Sequence, residues 1–314
     1  MTDLTQNSST AISRGASDGT PTRRPGTPVP ATLPPGTAAT LACIYEATAR
    51  KPGNVHPAAS FDDVTTYAAF VASAVATGPV IARVMENGVG QTVLNAVRAT
   101  SEAVRTNTNL GTLLLFAPLA AVAPDKSLAD GIHTVLESLK ASDTQAVYEA
   151  IRLANAGGLG RTNKADVFSD APPKVTLIEA MQLAADRDLV ARQYTNDFAD
   201  VFVGTAAWIE EGLSRGWRLE QAIVHTHLRQ IATSPDSLIQ RKCGPSVAKE
   251  ASDIAATVLK SGSPADSAYQ QAVTKFDDWL RADGHRRNPG TTADLIAAGL
   301  FVLLREGRLH WSEW

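Results

Sequence analysis

Residues 110–122 read Leu-Gly-Thr-Leu-Leu-Leu-Phe-Ala-Pro-Leu-Ala-Ala-Val. The run is apolar almost all round, and a helix of that kind belongs at the centre of a bundle. The pattern continues outward on both sides. In Val64–Ala76, the residues Tyr67, Phe70, Val71 and Ala74 make one stripe, with Ser60 and Asp63 as a capping pair. Gly90–Arg105, Ser127–Leu139 and Thr144–Asn155 follow, the last with Ser142 or Asp143 as its cap. Further helices are predicted over Thr176–Asp186, Leu189–Gly212, Leu219–Ala232, Pro245–Lys260, Pro264–Ala282 and Thr292–Arg305. Alanine is abundant, β-branched runs are short, and no strand-turn-strand pattern appears. The expected fold is all-α, a single globular domain of roughly a dozen helices. No fixed period suggests a solenoid.

Two segments break the pattern. Thr20–Gly36 holds six prolines in 17 residues, and Met1–Gly19 is rich in Ser, Thr and Gly. Such a stretch has too little apolar surface to offset its ordering entropy, so residues 1–36 are expected to be a disordered tail. Residues 37–314 are then the all-α domain. The second break is Asn155–Pro173, a loop of 19 residues. A loop that long inside a compact domain is usually functional or mobile.

Composition excludes several classes. The chain has 314 residues, with 29 Lys+Arg against 32 Asp+Glu. A net charge of −3 argues against a non-specific nucleic-acid binder. Charged residues are 19% and hydrophobic ones 44%, enough for a sizeable core. No apolar run approaches the roughly 18 residues of a membrane span, and the N-terminus lacks an apolar leader. A cytoplasmic protein is expected. Cys43 and Cys243 form neither a disulfide framework nor a Cys-rich zinc site. There is no GxxxxGK[ST] loop, GxGxxG fingerprint or HExxH. His225 and His227 are two apart and point to different sides of a helix, so they read as packing residues.

Four polar clusters interrupt the apolar helices. The first is Arg50-Lys51-Pro52-Gly53-Asn54-Val55-His56-Pro57, followed by Asp62 and Asp63. Pro52 stops a helix and Gly53 permits unusual backbone angles, so Lys51, Asn54 and His56 would project from a rigid turn. Its plainer reading is a basic helix C-terminus. The second is Arg105-Thr106-Asn107-Thr108-Asn109-Leu110-Gly111-Thr112, entering the apolar run. It reads either as ordinary capping or as donors for a phosphate. The third, Asp186-Arg187-Asp188 to Arg192 and on to Asp200, places Asp188 and Arg192 on one helical face, most simply as a solvated ion pair. The fourth joins Ser234-Pro235-Asp236-Ser237-Leu238-Ile239-Gln240-Arg241 with Asn288-Pro289-Gly290-Thr291-Thr292-Ala293-Asp294. Asp294 is followed by Leu-Ile-Ala-Ala-Gly-Leu, and a buried carboxylate needs a cationic or metal partner.

Taken in order, these clusters resemble the triphosphoribosyl-dephospho-coenzyme A synthase family. Its PKPG motif is similar to Arg50-Lys51-Pro52-Gly53-Asn54-Val55, and its NTHKG motif to Asn107-Thr108-Asn109-Leu110-Gly111. Its D[ST]xLxxRxG motif is similar to Asp236–Arg241 with Gly244 one place late. Its SPGGSADLLA motif is similar to Asn288–Ala297. The resemblance runs from about Ala38 to Arg305. The chain departs from the family at Asn109-Leu110, where the family has His-Lys. It departs again at Ser60-Phe61-Asp62-Asp63, which stands in place of a GAHxDM segment. In this it is similar to a divergent branch of archaeal and methylotroph members linked to pterin-dependent one-carbon metabolism.

The resemblance implies an ATP-dependent transferase. The triphosphoribosyl part of ATP would pass to a ribose hydroxyl of dephospho-coenzyme A, releasing adenine. Such a glycosyl transfer needs carboxylates for developing oxocarbenium charge and for a general base. Asp236, Asp294 and Asp63 are the catalytic candidates. A triphosphate of about four negative charges would be met by Mg²⁺, with Asp62, Asp236 and Asp294 as candidate ligands. Lys51, Arg192 and Arg241 would supply cations. Asn54, Asn107, Asn109, Thr291 and Thr292 would donate hydrogen bonds. Gly53, His56, Gly111, Asn288 and Gly290 would shape the substrate-binding turns. The partners are small nucleotides, with neither nucleic acid nor membrane, and the motifs set no oligomeric state. Two alternatives stand beside this reading. One is a different enzyme on the same scaffold, acting on a phosphorylated pterin-pathway intermediate. The other is a helical binding protein without chemistry.

Overall fold

A computed structural model describes residues 32–104, 106, 108–154, 175–312 and 314. Of the expected tail 1–36, residues up to 31 lie outside the described residues, as do the expected loop Asn155–Pro173 and Asn107. Pro35 and Gly36, expected in the tail, already belong to the first helix. The helices are α1 (Pro35–Thr48), α2 (Tyr67–Ile81), α3 (Val84–Asn87), α4 (Val89–Ala103) and α5 (Leu110–Ala120). Next come α6 (Leu128–Glu137), α7 (Ala141–Leu153), α8 (Leu177–Gln182) and α9 (Leu189–Gln193). A π-helix, Asp200–Ala206, leads into α10 (Ala207–Ser214). The remainder are α11 (Leu219–Thr233), α12 (Ser237–Cys243), α13 (Pro245–Lys260), α14 (Ser267–Arg281) and α15 (Gly290–Arg305). The fold is all-α, as the periodicity predicts.

Local chemistry sets the boundaries. Pro35 opens α1, where its missing N–H costs nothing. Helix α2 starts later than expected. Thr66, not Ser60 or Asp63, caps it by accepting from Ala69 N at 3.2 Å. In α7, Asp143 lies inside the first turn. Its carboxylate accepts from Lys140 N and from Gly90 N, both at 2.8 Å, so one side chain caps α7 and ties it to α4. The expected single helix Leu189–Gly212 is broken. Asp197 and Phe198 have φ of 52° and 61°, and Phe198 is fully buried. Turning that ring into the core forces the backbone out of the right-handed helical region.

Two helices dominate the interior. Residues of α5 and α15, among them Leu115, Phe116, Ile296 and Phe301, are almost wholly buried. The Phe116 and Phe301 rings stack at 4.9 Å. Helix α15 also packs on α1, α11 and the π-helix. Thr205 Oγ1 donates to Leu295 O at 2.9 Å across that contact. A second, smaller apolar cluster joins α11 to α14 around Leu228, Ile231, Ile239 and Phe276. Burying each large side chain of this kind contributes about 1.5–3 kcal/mol. The arrangement brings the N-termini of α5 and α12 against the start of α15, which itself meets the turn that follows α1.

Candidate active site

The turn after α1 is built inward. Lys51 has no exposed surface, and its Nζ lies 2.9 Å from Glu46 Oε1. The ammonium also donates to the carbonyls of Glu46 and Ala49, which the end of the helix leaves without partners. Lys51 is therefore an internal cation, not the expected phosphate contact. Gly53, at φ 75°, donates its N–H to Asp277 Oδ1 at 2.6 Å. Asn54 Nδ2 donates to Asn288 Oδ1 at 2.7 Å, and its carbonyl accepts from Arg281 at 2.7 Å. The ring of the buried His227 meets the Pro52 carbonyl through Nε2 at 3.2 Å. Burial, with the Lys51 charge nearby, pushes the pKa of His227 down to about 3. The turn thus joins α1, α11, α14 and the start of α15.

Asp236 is a second anchor. It is fully buried and caps α12, accepting at Oδ1 from Leu238 N and Ile239 N at 2.8 and 3.0 Å. Its Oδ2 accepts from Thr292 N and Thr292 Oγ1 at 2.7 and 2.8 Å. Burial raises its pKa, while those donors act in the opposite direction. All its acceptor capacity is used, and it does not line the cleft described next. Asp236 is accordingly a staple between α12 and α15 rather than the expected base or metal ligand. Thr292 belongs to the same staple. Thr291 does reach the cleft, and its Oγ1 accepts from Ser237 at 3.0 Å.

A cleft of about 1060 Å³ opens beside these anchors. Asp294, one turn into α15, lies on its wall and is partly buried. Its Oδ1 accepts from Thr112 Oγ1 at 2.6 Å. Its Oδ2 stands over the backbone of Gly111, where a Cβ would collide with it. Only glycine at 111 leaves room for this carboxylate. Burial pushes the pKa of Asp294 up to about 8, with Glu46 the foremost of the charges that add to the rise.

Cations gather in the same cleft. Arg187, Arg241, Lys242 and Arg286 all line it. Arg241 NH1 donates to Asp188 Oδ2 at 2.6 Å, and Arg286 NH2 donates to the Lys242 carbonyl at 2.8 Å. Asp188 in turn caps α9, accepting from Val190 N at 2.9 Å. The cleft also carries apolar lining, including Val97, Leu114, Val147, Ile151, Leu177 and Met181.

Of the residues predicted from sequence, the cleft collects Asn54, Asp62, Asn109, Gly111, Arg241, Asn288, Gly290, Thr291 and Asp294. Asn109 accepts from Thr100 Oγ1 at 3.1 Å. Asp62 lies at the exposed rim, its Oδ1 engaged by Val64 N and Thr65 N at 2.8 and 2.5 Å. Gly53, His56 and Asp63 do not line the cleft. His56 instead accepts from Ala58 N at 3.2 Å within its own turn. Arg192 is also displaced. It pairs with Asp200 at 2.8 Å and donates to Ser234 at 3.2 Å, while its expected partner Asp188 takes Arg241. Sequence reasoning passed over Glu46, Arg187, Asp188 and Lys242 as site residues. Counted from Asp236, the family's arginine position falls on Lys242 and its glycine on Gly244, a register that would have flagged Lys242.

Among the described residues no three His, Cys, Asp or Glu side chains converge as a metal cage. Asp236 is saturated and Asp62 serves its own loop. A protein-held Mg²⁺ of the expected ligand set does not fit these residues.

A solved structure from Archaeoglobus fulgidus, provisionally named triphosphoribosyl-dephospho-coA synthase, is similar at 26% identity with a TM-score of 0.60. The match covers 76% of this chain and 99% of that one. No curated protein matches. The family model for ATP:dephospho-CoA triphosphoribosyl transferase matches residues 34–313. The chain belongs to the ATP:dephospho-CoA triphosphoribosyl transferase family.

Proposed function

We propose that the cleft moves the triphosphoribosyl group of ATP onto a hydroxyl of dephospho-coenzyme A, with release of adenine. The observation that carries this reading is the Asp294 carboxylate, held by Thr112 over the notch at Gly111 in a cleft rimmed with cations. The acceptor oxygen attacks the anomeric carbon of the ribose. A C–O bond forms as the C–N bond to adenine breaks. Asp294 takes the hydroxyl proton, and adenine leaves with the bonding electrons and gains a proton from water. A base whose pKa lies near the working pH is well suited to that transfer. Arg187, Arg241, Lys242 and Arg286 meet the triphosphate, acting on charge that Mg²⁺ brought with the nucleotide only partly neutralises. The apolar lining of the cleft takes the less polar portion of a substrate.

A second acceptor class is favoured by one observation. Leu110 lines the cleft where the family carries a lysine. An acceptor with fewer phosphates, such as a pterin-pathway intermediate, suits that replacement.

The test is chromatographic. Protein is incubated with ATP, Mg²⁺ and dephospho-coenzyme A, and free adenine is followed. Adenine release that depends on the acceptor is the expected result. Nucleotide binding without adenine moves the search to the second acceptor class. Neither binding nor release overturns the transferase reading.

A further inference from the structure

Glu46 appears in none of the motifs, yet it is the acidic residue that the fold brings nearest the reacting region from α1. It is 8% exposed and lines the cleft. Its Oε1 is paired with the fully buried Lys51 at 2.9 Å. Among the described residues no group donates to its Oε2. A buried glutamate that used both oxygens internally would be a purely structural ion pair. This one leaves an oxygen without an internal donor in a residue that lines the cleft. The cation behind it is itself immobilised by two backbone carbonyls. Glu46 is also near enough to Asp294, and to Cys43, to add to the electrostatic cost of ionising each.

The chemistry of two carboxylates in unlike settings is informative. Asp294 has one hydroxyl donor, and Glu46 has a full positive charge beside it. Carboxylates kept in different environments take different roles. Resting on the transferase reading above, we infer that Glu46 is a second catalytic carboxylate, facing the ribose and opposing the positive charge that builds there as the bond to adenine breaks, while Lys51 is a positioning residue that holds it. The pair makes no covalent bond and moves no proton. It acts as a fixed negative charge in a site with little water, where such charges are most effective. The proposal also explains why a lysine in this turn lies inside the protein while phosphate-binding cations sit on other elements.

The experiment compares wild type, Glu46→Gln, Lys51→Met and the double variant in the adenine-release assay, with nucleotide affinity measured by calorimetry. For Glu46→Gln the expected result is a kcat loss on the order of 100-fold, with nucleotide Kd changed less than about threefold. Lys51→Met loses about as much, and the double variant loses no more than the worse single, because the two act as a unit. The double variant removes the buried pair together, so it tests the chain without an orphaned charge should Lys51→Met fail to fold. A Glu46→Gln variant that keeps most of its kcat, or whose whole loss is in nucleotide affinity, overturns the inference. If wild type releases no adenine, the transferase reading fails first. The placement of Glu46 is then judged alone, by carbon NMR titration of Asp294. Its midpoint should fall by about half a pH unit or more in Glu46→Gln, and an unchanged midpoint overturns the placement.

Discussion

Two aspartates of the same sequence cluster show how environment decides a residue's work. Asp236 receives four hydrogen bonds and no solvent, and Asp294 receives one beside a cleft. For Asp294→Asn, kcat/KM for adenine release should drop at least about 100-fold, the scale of a lost general base. In wild type, kcat/KM should rise with pH and level off above about 8, since the base must lose its proton. Stability runs the other way. Between 3.8 and about 8 the native chain keeps a proton on Asp294 that the unfolded chain releases, so its contribution falls as pH rises. Denaturant unfolding at pH 8 should therefore find the ligand-free Asp294→Asn variant more stable than wild type. The gain is about 1.4 kcal/mol for each tenfold weakening of the acid that burial imposes on Asp294. His227 has the opposite sign. Its depressed pKa makes the native state refuse a proton that the unfolded chain binds below 6.5. Stability is lost as pH falls from there toward 3, by up to about 1.4 kcal/mol per pH unit. His227→Gln should flatten that acid limb in unfolding curves recorded from pH 7 to 4.

At the scale of elements, the site depends on how closely three helix starts meet. Helix α5 approaches α15 at Gly111, with no side chain between its backbone and the Asp294 carboxylate. Gly111→Ala should leave the circular dichroism spectrum intact, yet lower kcat by about 100-fold, because a displacement of roughly 1 Å at the reacting group has that effect. An alanine variant with wild-type kcat would show that the notch does not position Asp294. The join between α12 and α15 is a matter of stability. Asp236→Ala removes a cap and strands buried donors at Thr292, so unfolding should become easier by about 2–4 kcal/mol. The catalytic cost should follow from loosening of Arg241 and Lys242 on α12 rather than from lost chemistry.

For the whole molecule, the cleft is bounded by helices from both apolar clusters, so a ligand bound there joins them. Saturating Mg·ATP should raise the unfolding free energy by RT ln(1 + [L]/Kd), about 2.7 kcal/mol at a hundredfold excess over Kd. A thermal scan with and without nucleotide reads this directly. The effect should shrink with added salt, since the cleft cations Arg187, Lys242 and Arg286 are exposed, where salt screens their attraction for a triphosphate.

The sequence by itself determined that the chain is helical, that Leu110–Val122 lies at its centre, and that four ordered motifs mark the family. Those features are local: apolar spacing, caps and turn residues act within a few positions. It did not separate site residues from scaffold residues within each motif. Lys51 and Asp236 have the chemistry of a phosphate and metal site, yet each is turned inward to neutralise a helix end or a neighbouring charge, while Arg192 pairs with Asp200 outside the cleft. Glu46 and Lys242 look like ordinary helix residues and reach the cleft. That division rests on which face of each helix the packing of α1, α5, α12 and α15 presents to the cavity. It depends on contacts between residues as far apart as Thr112 and Asp294, which no local pattern records.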